Sequence, residues 1–138
     1  MRIGADEARQ RFGRARAAKL ATVAADGQPH LVPVTFAMDG DMIYTAVDEK
    51  PKSTRQLRRL SNIGANPMVC LLADHYSDDW SALWWVRADG TAIILSDAAA
   101  MRAPLGLLAR RYRQYQADPP LGPVIAIRVN RWIGWSAG

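Results

Sequence analysis

Two Asp-Gly pairs, Asp26-Gly27 and Asp39-Gly40, punctuate the first third of the chain. Each falls between runs rich in apolar and β-branched residues. Asp-Gly is a strong hairpin signal, because glycine takes a positive φ at no steric cost. Three strands follow: Lys19 to Ala24, His30 to Met38 and Met42 to Val47. Strands joined by such short turns lie antiparallel, since a parallel pair needs a long crossover. The N-terminal part is thereby committed to an antiparallel meander. Pro33 has no N–H for the ladder, so its run is expected at an edge or with a bulge.

The remaining segments fit around that meander. Ala5, Ala8, Phe12 and Ala15 have the spacing of a short surface helix. Pro51 with Ser53 or Thr54 marks a second helix start, and Asn66-Pro67 marks its end. Leu57, Leu60 and Ile63 form its core face, with Lys52, Arg55 and Arg59 on another face. A strand from Met68 to Ala73 leads into the polar loop DHYSDDW. The run Ser81 to Leu95 holds Asp89-Gly90, read as either a hairpin turn or a bulge in one bent strand. Ser96 or Asp97 can cap a further helix with Pro104 in its first turn. Leu105, Leu108, Tyr112 and Tyr115 form its apolar stripe. A last strand runs from Val124 to Trp135. Helices and strands do not alternate regularly, which argues against a doubly wound parallel sheet. The expectation is one domain over residues 1–138, mainly β with α (α+β): a six-stranded antiparallel barrel with flanking short helices.

Composition narrows the function. With 49% hydrophobic residues in 138, the chain can bury a core. Its net charge of +5 favours anionic ligands without choosing among them. No stretch approaches the roughly 18 apolar residues of a membrane span. The N-terminus lacks the apolar region of a signal peptide. The lone Cys70 fits a reducing compartment and excludes a disulfide framework or a cysteine-built zinc site. A cytoplasmic protein with no membrane partner is expected.

No phosphate-loop, dinucleotide, zinc-protease or serine-hydrolase motif occurs. His75 among Asp74, Asp78 and Asp79 reads as a solvated acidic loop, so no metal site is expected. His30 stands at a strand end, and no nucleophile–base pair follows from spacing. If the chain is an enzyme, a bound cofactor supplies the reactive group. The stretch DEKPKSTRQLRRL collects Lys50, Lys52, Ser53, Thr54 and Arg55 at a helix start. It reads as a solvated basic face or as a phosphate seat. Cations there oppose the helix macrodipole, which favours the second reading. Five tryptophans are many for this length. Adjacent Trp84 and Trp85 must point to opposite faces of a strand, so one leaves the core toward a partner subunit or a flat ligand. Arg87 shares the face of Trp85. The arginines of ARRYRQY lie beside tyrosines on an apolar stripe, so nucleic acid is not expected as a partner.

These residues, in order, resemble a known family. The segment LATVAADGQPHLVPVTFAMDGDMIYTAVDEKPKSTRQLRRLSNIGANPMVCLL is similar to the pyridoxamine 5′-phosphate oxidase-like split β-barrel superfamily, in its flavin/deazaflavin oxidoreductase B group. DHYSDDWSALWWVRADGTA and VNRWIGWSAG resemble its coenzyme F420-dependent subgroup. The resemblance implies a homodimer of split barrels with two cofactor sites at the interface. It implies that Lys50, Pro51, Lys52, Ser53, Thr54 and Arg55 hold the phosphate of F420 or FMN. The ring system would lie against His30, Val32, Pro33, Val34 and Thr35. The other subunit would bring Trp84, Trp85 and Arg87, with Trp132 and Trp135. One position departs from the pattern: Ser53 stands where relatives often carry the lysine four residues before Leu57, and Lys52 comes one residue earlier. The chain also lacks the C-terminal extension of true pyridoxamine-phosphate oxidases, so that activity is not expected. The implied reaction is hydride transfer between F420 and a small planar, unsaturated acceptor, with His30 or Tyr44 as candidate proton donors. An FMN enzyme of the same fold and a non-catalytic cofactor or tetrapyrrole binder are the alternatives.

Overall fold

The computed structural model describes residues 1–47 and 54–138. In chain order the elements are β1 (Arg2–Ile3), α1 (Ala5–Arg14), β2 (Ala18–Val23), β3 (Pro29–Val34), β4 (Ala37–Asp39) and β5 (Met42–Ala46). They continue with α2 (Thr54–Ala65), β6 (Met68–His75), a short 3-10 turn (Trp80–Ala82) and β7 (Trp84–Leu95). The chain closes with α3 (Ala98–Arg111), α4 (Arg113–Ala117) and β8 (Val124–Ser136). No helix among the described residues is long and apolar enough to cross a membrane.

The strands form one sheet in the order β3-β2-β6-β7-β8-β5-β4, with β1 added to β8. Every pairing is antiparallel. The two edge strands, β3 and β4, are separated in sequence only by Thr35 and Phe36. A sheet whose opposite edges are joined by two residues has to curl on itself. No ladder joins those edges among the described pairings, so the barrel is split there. Pro33 lies on β3 and costs no ladder bond on its open side. The strand count is eight rather than six for two local reasons. Arg2 and Ile3 pair with Trp135 and Gly134, and the run from His30 to Met38 breaks at the Thr35–Phe36 link.

Alternation sorts the side chains. On β6, Val69, Leu71 and Ala73 point inward, and Met68, Cys70 and Leu72 point away. On β7, Val86, Ala88 and Ala92 are buried, with Trp85, Arg87, Asp89 and Thr91 on the outer face. Asp89-Gly90 is a bulge in one continuous strand and not a turn: Asp89 faces Arg131 and Gly90 faces Val129, leaving Asn130 as the extra residue of β8. A Cβ on Gly90 would stand 2.5 Å from the carbonyl oxygen of Arg128, so the close approach requires glycine. The bulge also reverses which residues of β8 face inward. Ile127 and Val129 are buried before it; Gly134 and Ser136 are buried after it, and Trp132 packs against the core.

The main core gathers Phe12, Leu20, Phe36, Ile43, Leu71 and Ile127. Phe12 anchors α1, its ring 4.8 Å from Phe36 and 5.5 Å from Trp132. Fully burying one such side chain contributes about 2 kcal/mol. Trp132 satisfies its indole N–H by donating to Asp41 at 3.0 Å. A second cluster under α3 and α4 holds Ala37, Ala46, Leu108, Tyr115 and Val124. Asp97 caps α3 through the Ala100 N–H at 3.1 Å. Pro104 lies in the helix interior, past the first turn where the sequence suggested it. The expected single stripe is broken at Tyr112, which is extended (φ −117°, ψ 116°) and separates α3 from α4.

Candidate functional site

Polar side chains converge beside the split, between the end of β3 and the end of β5. A cavity of about 210 Å³ opens there, lined by Pro33, Val34, Thr35, Thr45, Ala46, Arg59 and Tyr115. The link between β3 and β4 is held from behind by the α3–α4 corner. Thr35 Oγ1 and Tyr115 Oη share a hydrogen bond of 2.8 Å. The Phe36 N–H donates to Tyr112 Oη at 3.1 Å. That hydroxyl lies 2.9 Å from the carbonyls of both Arg16 and Phe36 and donates to one at a time. Arg111 donates to the carbonyls of Ala15 and Phe36, with its guanidinium 4.6 Å from the Phe36 ring centre. The cavity wall is thus braced by side chains drawn from distant parts of the chain.

Arg59 is the unusual group. It is 7% exposed, and among the described residues its Nε has no hydrogen-bond partner. Burial lowers its pKa, because desolvation disfavours the charged form. The sequence placed Arg59 on a basic face with Lys52 and Arg55. In the structure it shares its face with Asn62 and Ile63, three and four residues on, both buried. Asn62 Nδ2 donates to Thr22 Oγ1 at 3.0 Å, tying this face of α2 to β2. Leu60 packs against the core as expected.

A larger, open recess of about 680 Å³ lies near the start of β3, lined among others by Asp26, Gln28, His30, Arg58, Ser61 and Asn62. It is the bigger of the two, but the buried cation and the braced hydroxyls belong to the smaller cavity, which is therefore the stronger site. Consecutive arginines of α2 serve the two spaces, Arg58 the recess and Arg59 the cavity.

The structure brings Pro33, Val34 and Thr35 together at the cavity and sets His30 at the recess. Val32 packs against the core. Lys50, Pro51, Lys52 and Ser53 lie outside the described residues; Thr54 and Arg55 open α2. Trp84 packs on the core and borders a groove with Glu7, Gln10, Arg11 and Arg14, the Arg11 guanidinium 5.9 Å from its ring. Trp85 and Trp135 are register partners on the outer face. Arg87 lies there too, joined to Asp89 by bonds of 2.7 and 3.1 Å that raise its pKa. Trp132 is turned to the core. Within one chain, none of these four tryptophans nor Arg87 lines the cavity. Tyr44 packs in the second core cluster.

The sequence reading passed over Thr45, Tyr115 and Arg59 as site residues. A signal for Arg59 was present: Arg59, Asn62 and Ile63 have the i, i+3, i+4 spacing of one helical face. Among the described residues no cluster of three potential metal ligands occurs, His75 and its neighbours included.

The family model of pyridoxamine 5′-phosphate oxidase matches residues 5–136. The chain belongs to that family. Its split barrel recurs in solved structures. The conserved hypothetical protein Rv2991 from Mycobacterium tuberculosis superposes with a TM-score of 0.76 at 23% identity, over 98% of this chain and 86% of that one. An FAD-binding protein from Mesorhizobium loti gives 0.73 at 20% identity, over 97% and 95%. An FAD-binding protein from Mycobacterium smegmatis gives 0.66 at 14% identity, over 98% and 96%. At these identities the likeness concerns the fold. Comparison with curated proteins gives no match.

Proposed function

We propose that this family member binds a phosphorylated flavin-type cofactor, coenzyme F420 in the first instance, and uses it for hydride transfer to a small planar, unsaturated acceptor. The observation that carries the reading is the polar cavity at the split. Two of its walls, Ala46 and Arg59, bracket in sequence the segment holding Lys50, Lys52 and Ser53. A phosphate seated by that segment would leave the rest of the cofactor within reach of Pro33, Val34 and Thr35. The buried Arg59, which has no ion pair among the described residues, fits a ligand that brings negative charge. F420 and FMN both do so.

The cofactor supplies the hydride chemistry when bound. The chain's own residues orient and exclude water. Val34 and Ala46 give the cavity an apolar side, while Thr35, Thr45 and Tyr115 offer hydroxyls. Tyr115 is held against Thr35 and so presents its hydroxyl in a fixed direction. No group is assigned as proton donor.

The reading includes a homodimer. Leu31, Leu72 and Trp135 are exposed on the outer sheet face, with Trp85 beside Trp135. A second copy covering that face would remove them from water and bring tryptophans toward the partner's site. FMN remains the alternative cofactor; two structural neighbours are FAD-binding proteins, which supports a flavin-type group without choosing FMN.

Paired fluorescence titrations of the apo-protein with F420 and FMN test the reading, repeated on Lys52→Ala. Tight F420 binding that weakens in the variant supports it. Preference for FMN moves the assignment to the flavin, and binding of neither removes the function.

A further inference from the structure

The link between β3 and β4 lies outside the ladders: the β2–β3 pairing ends at Val34 and the β4–β5 pairing begins at Ala37. Phe36 is fully buried in that link. Its backbone N–H and carbonyl therefore need partners other than a strand. One corner, where α3 ends, meets both. The N–H donates to Tyr112 Oη at 3.1 Å, and the carbonyl accepts from Arg111 at 3.1 Å. The same two side chains also reach the carbonyls of Ala15 and Arg16, which lead from α1 into β2. Ala18 at the start of β2 pairs with Val34 at the end of β3, so both links lie at one end of the hairpin. One tyrosine and one arginine fasten them together. Pro33, Val34 and Thr35 come directly before the fastened link and line the cavity, with Thr45 and Ala46 at the end of β5. Among the described pairings no ladder joins β3 to β5. Their spacing has to be set by something else.

We propose that Tyr112, with Arg111, is a positioning residue for the ligand of the cavity. It acts through the backbone of Phe36: by fixing the link it sets the distance between the ends of β3 and β5 that a ligand has to bridge. The inference rests on the cofactor reading for what that ligand is. A wall held in place beforehand does not have to be ordered when the ligand arrives, which raises affinity without any contact. By linkage the ligand must in turn tighten the link. The groove beside Trp84 carries less, because its Arg11 is already engaged with Glu7 at 2.7 Å.

The test compares the full wild-type chain with Tyr112→Phe, Arg111→Lys and Gly90→Ala. Gly90→Ala is the control: it strains the β7–β8 ladder and so lowers stability, and Gly90 belongs neither to the link nor to the cavity. Fluorescence titrations are run with F420 and with FMN. Hydrogen exchange of the Phe36 amide is followed by NMR in the free chain and with each compound. In the free chain, Tyr112→Phe should speed exchange at Phe36 more than at a core amide such as Leu71. It should weaken cofactor binding about 5- to 50-fold. Arg111→Lys, which keeps the charge and loses the fork, should weaken it less. Gly90→Ala should bind within about twofold of the wild type, as an independent site does. Bound cofactor should slow Phe36 exchange in the wild type, and less so in Tyr112→Phe. Wild-type affinity in Tyr112→Phe, or a loss that Gly90→Ala matches, makes Tyr112 merely structural and overturns the proposal while the cofactor reading stands. Binding of neither compound by the wild type removes the cofactor reading and this proposal with it. Should Tyr112→Phe fail to fold, wild-type affinity in Arg111→Lys overturns it.

Discussion

The hydroxyls of Thr35 and Tyr115 meet at 2.8 Å although the residues stand eighty positions apart. The bond ties the hinge between the two edge strands to α4. Tyr115→Phe should lower unfolding free energy in urea by about 1 kcal/mol, the usual net value of one such bond. Tyr112→Phe should cost more, about 2 kcal/mol, because it strips Phe36 N–H of its acceptor. If the two variants rank the other way, the hinge is not braced as described.

Gly90→Ala sets a Cβ against the Arg128 carbonyl in the middle of the β7–β8 ladder. Backbone does not yield as a side chain would. A loss of about 1–3 kcal/mol is expected, read as a fall in the urea midpoint at unchanged slope. A neutral substitution would mean that the bulge relaxes.

Cys70 lies beside Asp89 on the outer face. Burial pushes its thiol up, the Asp89 charge adds to the rise, and Arg87 opposes it. A raised thiol pKa means less thiolate, so alkylation at mildly alkaline pH should be slower in the folded than in the unfolded chain. Asp89→Asn removes a raising charge and leaves Arg87 uncompensated; both changes should speed alkylation. The linkage has a definite sign. With the folded pKa above the unfolded one, Cys70 contributes stability that is full below the unfolded pKa and fades as pH rises through the folded pKa. A folded thiol that alkylates as fast as the unfolded one would refute the burial effect.

The outer face gives a test of the proposed dimer. Leu72 and Arg87 are register partners there, with Trp85 two residues before Arg87. Leu72→Glu puts a carboxylate into the proposed interface, beside an Arg87 already bonded to Asp89, and should shift the mass measured by light scattering from dimer to monomer, with thermal stability close to that of the separated wild-type chain. A wild type that is monomeric at micromolar concentration would remove the interface.

Much of the fold could be read in advance, and for a common reason. The Asp26-Gly27 and Asp39-Gly40 hairpins, the Asp97 cap and the Leu60–Ile63 face depend on local chemistry, which a short stretch of sequence contains. What escaped was set by long-range contacts. Tyr112 stops a helix because its hydroxyl serves the backbone of Phe36, a demand invisible from its neighbours. Thr45 reads as an ordinary strand residue until Arg59 is brought beside it. Arg59 was read by spacing as part of a basic face with Lys52 and Arg55, and the structure buries it beside Asn62 and Ile63. Pro33, Val34 and Thr35 were legible through family resemblance, and the structure adds the residues opposite them.

The one-residue bulge at Asn130 has a consequence for comparison between relatives. A residue numbering carried along β8 from its first half goes out of phase at that point. In a relative lacking the extra residue, the position numbered 135 by counting forward from the first half would face the interior and the one numbered 132 the outside, the reverse of Trp135 and Trp132 here. Equivalence between C-terminal tryptophans in such chains therefore has to be counted backward from the end of the strand, and an alignment gap misplaced by one position would exchange a packing residue for a surface one.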